Sequence, residues 1–173
     1  MNNETKIVYL FRHGETNLNV DGTIMGQLLN LNTEFTEKGY EQINHISNEL
    51  KNNKIEIIYT SDFKRTLETA KMANINHNLP IIITEEVRGL NMGKYQGMPF
   101  ESFINLPEVR KSFNDYNIPF ENGESINDLN NRTINFIKKV CNNTRYKKIA
   151  IITHSAVTVS YTHLRAHETG RNL

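Results

Sequence analysis

Ile7-Val8-Tyr9-Leu10-Phe11 runs directly into Arg12-His13-Gly14-Glu15-Thr16. The apolar run is rich in β-branched and aromatic residues and bounded by polar ones, which predicts a buried strand. That strand delivers a guanidinium and an imidazole to its carboxyl end, the edge at which open α/β sheets bind ligands. Gly14 lets the backbone turn tightly beside whatever binds there. Arginine grips phosphate bidentately and histidine can carry a phosphoryl group covalently, so the pair points to phosphoryl chemistry.

Working outward, four strand-like runs are predicted: Lys6 to Phe11, Ile55 to Thr60, Pro80 to Thr84 and Lys148 to Thr153. Helical patterns lie between them. Thr36 is placed to cap a helix with Tyr40, Ile43, Ile46 and Leu50 on one side. Ser61 or Asp62 is expected to cap a second, with Leu67, Ala70 and Ala73 facing the core. Ser125 with Asp128 reads as a capping box opening a third, with Leu129, Phe136, Ile137 and Val140 inward. Strands alternating with helices predict a parallel α/β sheet. The stretch from Gly89 to Asn122 has no strong period and is expected to cover the sheet edge and shape specificity.

The bulk composition narrows the function classes. A chain of 173 residues, 38% hydrophobic and 23% charged, suits one domain. A net charge of +1 gives no basic field for nucleic acid or a membrane surface, so an anion site must be local. A single cysteine, Cys141, excludes an internal disulfide framework. The N-terminus lacks the shape of a signal peptide and no apolar run is long enough to span a membrane, so a cytoplasmic location is expected.

In a parallel sheet the polar residues that follow each strand gather at one edge. Arg12 and His13 follow the first strand, Ser61 and Arg65 the second, Glu85 and Glu86 the third; Thr153 and His154 end the fourth. His13 is the candidate nucleophile. Arg12 and Arg65 are candidate phosphate clamps, His154 a candidate donor to a phosphate oxygen, and Asn19 a further phosphate ligand from the loop after the first motif. No residue set has metal-ligand spacing, so no metal or cofactor is expected.

The arrangement resembles the histidine phosphatase superfamily, or phosphoglycerate mutase-like family. Arg12-His13-Gly14-Glu15-Thr16 with Asn19 matches its leading signature, and Thr36-x-x-Gly39-x-x-Gln42 resembles the next block. Ser61 through Ala70, then Arg88 with Gly93-Lys94-Tyr95-Gln96-Gly97, then Gly123-Glu124-Ser125 with Arg132, and finally Thr153-His154 follow in the family's order. The resemblance implies a three-layer α/β/α fold with a mostly parallel central sheet. It also implies a phosphohistidine intermediate on His13, with Arg12, Arg65 and His154 around the phosphate.

Two departures stand out. Members commonly carry a catalytic glutamate directly after the middle-block arginine, and here that position is Gly89. Glu86 is the expected acid, with Glu124 ranked level and Glu85 as a further alternative. Members also usually continue past the closing histidine, whereas residues 160–173, which include Arg165-Ala166-His167-Glu168-Thr169, resemble no part of the family. The domain is therefore assigned to residues 1–159 as C-terminally incomplete, with 160–173 set apart as an artefactual tail. The expected activity is a metal-independent phosphomonoesterase acting on a small phosphate ester, with no nucleic-acid or membrane partner and the oligomeric state open. The alternatives are mutase-type phosphoryl transfer and non-catalytic phosphate binding. A nucleotide-binding fold is weaker, because neither Gly-x-Gly-x-x-Gly nor a Walker sequence occurs.

Overall fold

The computed structural model describes residues 5–29 and 31–159. Four strands, β1 (Ile7–Arg12), β2 (Ile57–Thr60), β3 (Ile81–Ile83) and β4 (Lys148–Thr153), form one parallel sheet in the order β1-β4-β2-β3. The helices are α1 (Asn17–Val20), α2 (Glu37–Asn52), α3 (Lys64–Ala73), α4 (Phe100–Ile104), α5 (Pro107–Asn114) and α6 (Ile126–Asn143).

The period-2 alternation of a strand sorts its side chains to two faces. Tyr9, Phe11, Ile58, Ala150 and Ile152 pack with Ile43, Ile46 and Leu50 of α2 and Ala70 and Ala73 of α3. Val8, Leu10, Ile57, Tyr59, Ile149 and Ile151 pack against Phe136, Ile137 and Val140 of α6. The result is three layers, α/β/α. The central strand β4 is covered on both faces, with Ile149 through Ile152 fully buried. This is why its sequence reads as a continuous apolar run. Truncating Ile151 to Ala would cost about 2–5 kcal/mol.

Helix boundaries follow local chemistry. Thr36 caps α2, its side chain accepting from Gly39 N–H, and Ser125 and Asp128 form the reciprocal capping box of α6. Three expectations fail. Tyr40 is half exposed and meets Phe35 edge-on at 5.8 Å instead of entering the core. Neither Ser61 nor Asp62 caps α3, whose N-cap is Phe63 without a side-chain bond. Ser61 turns to His154 and Thr66, and Asp62 pairs with Arg88. The buried face of α3 is likewise rotated toward Arg65, Thr66 and Thr69, leaving Leu67 half-buried.

The aperiodic stretch folds around aromatic rings rather than a single helical face. Phe103 meets Tyr95 at 5.8 Å and Phe113 at 6.0 Å, and Phe113 meets Phe120 at 5.5 Å. With Ile24, Leu90, Val109, Leu129 and Val157 these rings form a second core beside the sheet. Backbone bonds strap this unit to the loop after α1: Ile24 N–H donates to Met98 O (2.9 Å), Gly97 N–H to Ile24 O and Phe100 N–H to Gly22 O (both 2.7 Å). The strap fixes a wall above the sheet's carboxyl edge.

Candidate active site

The site begins with register. Arg12 pairs with Thr153, so His13 and His154 emerge side by side from adjacent strands. The His13 backbone N–H continues the ladder to Thr153 O at 2.9 Å. The two imidazoles stand edge to face with centroids 5.4 Å apart.

His13 is buried, and its Nδ1 lies 2.8 Å from Gly14 O. A carbonyl oxygen only accepts, so Nδ1 carries the proton and Nε2 keeps its lone pair. Burial pulls the His13 pKa down to about 3; the Gly14 bond opposes this, and Arg65 and Arg12 add to the lowering. The ring is therefore neutral at ordinary pH, with its lone pair on Nε2.

His154 is buried and also held well below the usual histidine range, chiefly by desolvation and then by Arg65. Its Nε2 lies 2.9 Å from Ser61 Oγ, which lies 2.6 Å from Thr66 Oγ1. Thr66 can donate to Phe63 O at 2.8 Å. In that arrangement Ser61 donates to Thr66 and accepts from His154 Nε2–H. Reversing the hydroxyl chain places the proton on His154 Nδ1, which can then donate to an oxyanion.

Arg65 is buried at the start of α3. Its Nη2 donates to Gly26 O at 2.9 Å, and its guanidinium carbon lies 4.9 Å from the centre of the Phe63 ring. Its Nε has no hydrogen-bond partner among the described residues. Burial lowers its pKa to about 10, which leaves it cationic at neutral pH. Arg12 stands exposed at the strand end. Asn19 uses its side-chain oxygen to accept from Thr16 N–H at 3.0 Å, so its amide nitrogen is the group available to a ligand.

Arg12, His13, Asn19, Arg65 and His154 all line one cleft of about 430 Å³. The structure does not bring the three expected carboxylates to it. Glu86 is exposed on the turn after β3 and does not line the cleft. Glu85 pairs with Arg88 at 3.1 Å, and Glu124 is held by Arg132 at 2.8 and 3.0 Å and by Asn91 N–H at 2.8 Å. Gly89 sits in the cleft wall, its carbonyl accepting from Gln27 Nε2 at 2.8 Å and Arg132 Nη2 at 2.9 Å.

The sequence placed Ser61 at this edge with no task beyond a helix cap, and it did not single out Phe63 or Thr66. The positions one to six residues past β2 were the available signal, but their contacts exist only after α3 packs. Among the described residues, no group of three or more His, Cys, Asp or Glu could hold a metal ion, and no helix is long and apolar enough to cross a membrane. Residues 160–173 lie outside the described residues.

The chain is 29% identical over 157 residues to phosphoglycerate mutase-like protein 4 of Arabidopsis thaliana and 29% identical over 161 residues to a metal-independent phosphoserine phosphatase from the same plant. These alignments take in 87% and 89% of this chain but 66% of each relative, so the chain spans slightly less than two thirds of their length. Among solved structures, Bacillus stearothermophilus YhfR superposes with a TM-score of 0.79 at 24% identity, covering 91% of this chain and 78% of that one. Phosphoserine phosphatase from Entamoeba histolytica, solved with 3-phosphoglyceric acid, gives 0.75 at 26%, covering 90% and 77%. The family model of the histidine phosphatase superfamily, branch 1, matches residues 8–169, beyond the Val159 boundary drawn from the sequence. A match over that much of the chain makes it a member of the histidine phosphatase superfamily, branch 1.

Proposed function

We propose that the chain is a metal-independent phosphomonoesterase acting on a small phosphorylated metabolite through a phosphohistidine on His13. The observation that carries this reading is the neutral, buried His13 ring, its Nδ1 committed to Gly14 O and its Nε2 free, in a cleft shared with Arg12, Arg65 and His154. Nε2 attacks phosphorus, the P–O bond breaks with its electron pair on the leaving oxygen, which takes its proton from water, and the guanidinium groups stabilise the charge on the equatorial oxygens. The Nδ1–H bond to Gly14 O stabilises the positive ring of the phosphohistidine. Water then attacks phosphorus, its proton passing to the phosphate formed or to solvent, as the N–P bond breaks and His13 leaves as the neutral imidazole it began as. Relatives named as phosphoserine phosphatases support the reaction class.

The test is a rapid-quench experiment with a labelled ester in excess chelator. The expected result is a phosphoenzyme that is acid-labile and base-stable, with turnover that persists and both lost in His13→Ala. Label on another side chain, turnover retained in His13→Ala, or activity lost on chelation and restored by magnesium or zinc would refute it.

A further inference from the structure

Resting on that phosphatase reading, we propose that the substrate is a phosphate monoester of an uncharged, weakly basic hydroxyl of the phenol or enol type, rather than a phosphorylated alkanol or carboxylic acid.

The first observation is the chemistry of the cleft wall. Among the described residues that line it there is no aspartate, glutamate, lysine, tyrosine or cysteine. The titratable groups are the clamp arginines, the nucleophile His13 and His154. His154 is buried and engaged with Ser61, so it enters the reaction neutral. The carboxylates nearest in sequence to Gly89 face elsewhere, Glu85 to Arg88 and Glu86 to solvent. Gly89 itself is closely packed: a Cβ there would lie 3.2 and 3.5 Å from Cγ and Cδ2 of the His154 ring and 3.3 Å from His154 Cβ, and its carbonyl is held by Gln27 and Arg132. Among the described residues no carboxylate stands at this point of the wall.

The chemical consequence is a demand on the leaving group. As the His13 Nε2–P bond forms and the P–O bond breaks, the electron pair departs with oxygen. An alkoxide, with a conjugate acid near water's about 15.7, needs a proton at that moment. A phenolate, with a pKa of about 10, departs as the anion and takes its proton from water afterwards. General acid catalysis is worth about 10²–10⁴-fold, and that factor is withheld selectively from alkyl esters.

The second observation is the lining beyond the phosphate clamp. Ile24, Met25, Leu90, Met92, Phe100 and Ala156 supply apolar side chains. No lysine or third arginine among the described residues lines the cleft. A substrate carboxylate would lie against this wall without a cation, at a desolvation cost, whereas an aromatic or otherwise flat apolar group would bury area there.

The test measures kcat/KM for phenyl and 4-methylphenyl phosphate, for cyclohexyl phosphate as an alkyl ester of equal bulk, and for phosphoserine. It is run beside phosphoenzyme trapping with labelled phenyl phosphate. The expected result is a preference of about 10²-fold or more for the aryl esters over both others, with label on histidine. Equal rates for aryl and alkyl esters, with label still on His13, would overturn this inference and leave the phosphatase reading standing. So would a selective loss of alkyl-ester turnover in Glu86→Gln, which would identify a proton donor. Efficient turnover of phosphoserine would overturn the apolar-wall argument. Absence of both turnover and phosphoenzyme with every ester would refute the phosphatase reading and this inference with it.

Discussion

Lowering the pH from 7 to 5 should destabilise this protein through His13, and replacing that residue with Asn should remove the effect. In the folded chain the ring is buried with a pKa near 3, against an ordinary 6.5. The folded value lies below the unfolded one. Between those two values the unfolded chain therefore holds a proton that the folded chain does not, and stability falls as the pH drops. The contribution is constant above the unfolded value, declines by up to about 1.4 kcal/mol per pH unit below it, and levels off under the folded value. From pH 7 to pH 5 the His13 share comes to about 2 kcal/mol. For a chain of this size that corresponds to a midpoint shift of about 4–8 °C. Asn suits the comparison because its amide nitrogen can keep the bond to Gly14 O and it carries no titratable ring. Urea unfolding of both proteins at the two pH values gives the difference, in which the shared response of the carboxylates away from the site cancels. His13→Asn should lose about 2 kcal/mol less than the wild type on acidification. Parallel losses in the two proteins would show that the His13 ring takes up its proton in the folded state and is not held neutral by burial.

Three further outcomes are expected. Ser61→Ala removes the partner of His154 Nε2 inside a buried hydroxyl chain. It should cost about 1–3 kcal/mol in thermal or urea unfolding, and it should lower kcat more than it raises KM because the His154 proton is no longer directed; Ser61→Thr should recover part of both. Gly39→Ala would set a Cβ 2.2 Å from Glu15 O on the loop that carries the first motif. A loss of about 1–3 kcal/mol from overpacking, together with reduced turnover, is expected, and a variant of wild-type stability would show that the loop moves freely. Arg65→Lys should keep the charge but lose the bond to Gly26 O and the planar contact with Phe63. Vanadate inhibition should weaken by at least about 10-fold, and unchanged inhibition would remove Arg65 from the clamp.

The sequence alone determined the layers and the edge. Continuous apolar runs at Lys6 to Phe11 and Lys148 to Thr153, separated by helices with readable caps at Thr36 and Ser125, have one compact solution, because both faces of each strand must be covered. A parallel sheet then sends Arg12, His13, Ser61, Arg65 and His154 to a common edge whatever the details of packing, which is why these residues were legible without a single contact being known. What tertiary structure decided is which polar groups still have free partners. Ser61 and Asp62 have the chemistry of helix caps, but a buried imidazole and a nearby arginine compete for them, and an unpaired buried partner costs more than an uncapped helix end. Glu86 and Glu124 have the chemistry of acids, yet one faces solvent and the other neutralises Arg132. Local sequence states what each side chain can do. Which of those options is exercised depends on what the fold places within about 3 Å, because hydrogen bonds and ion pairs are short-ranged and exclusive.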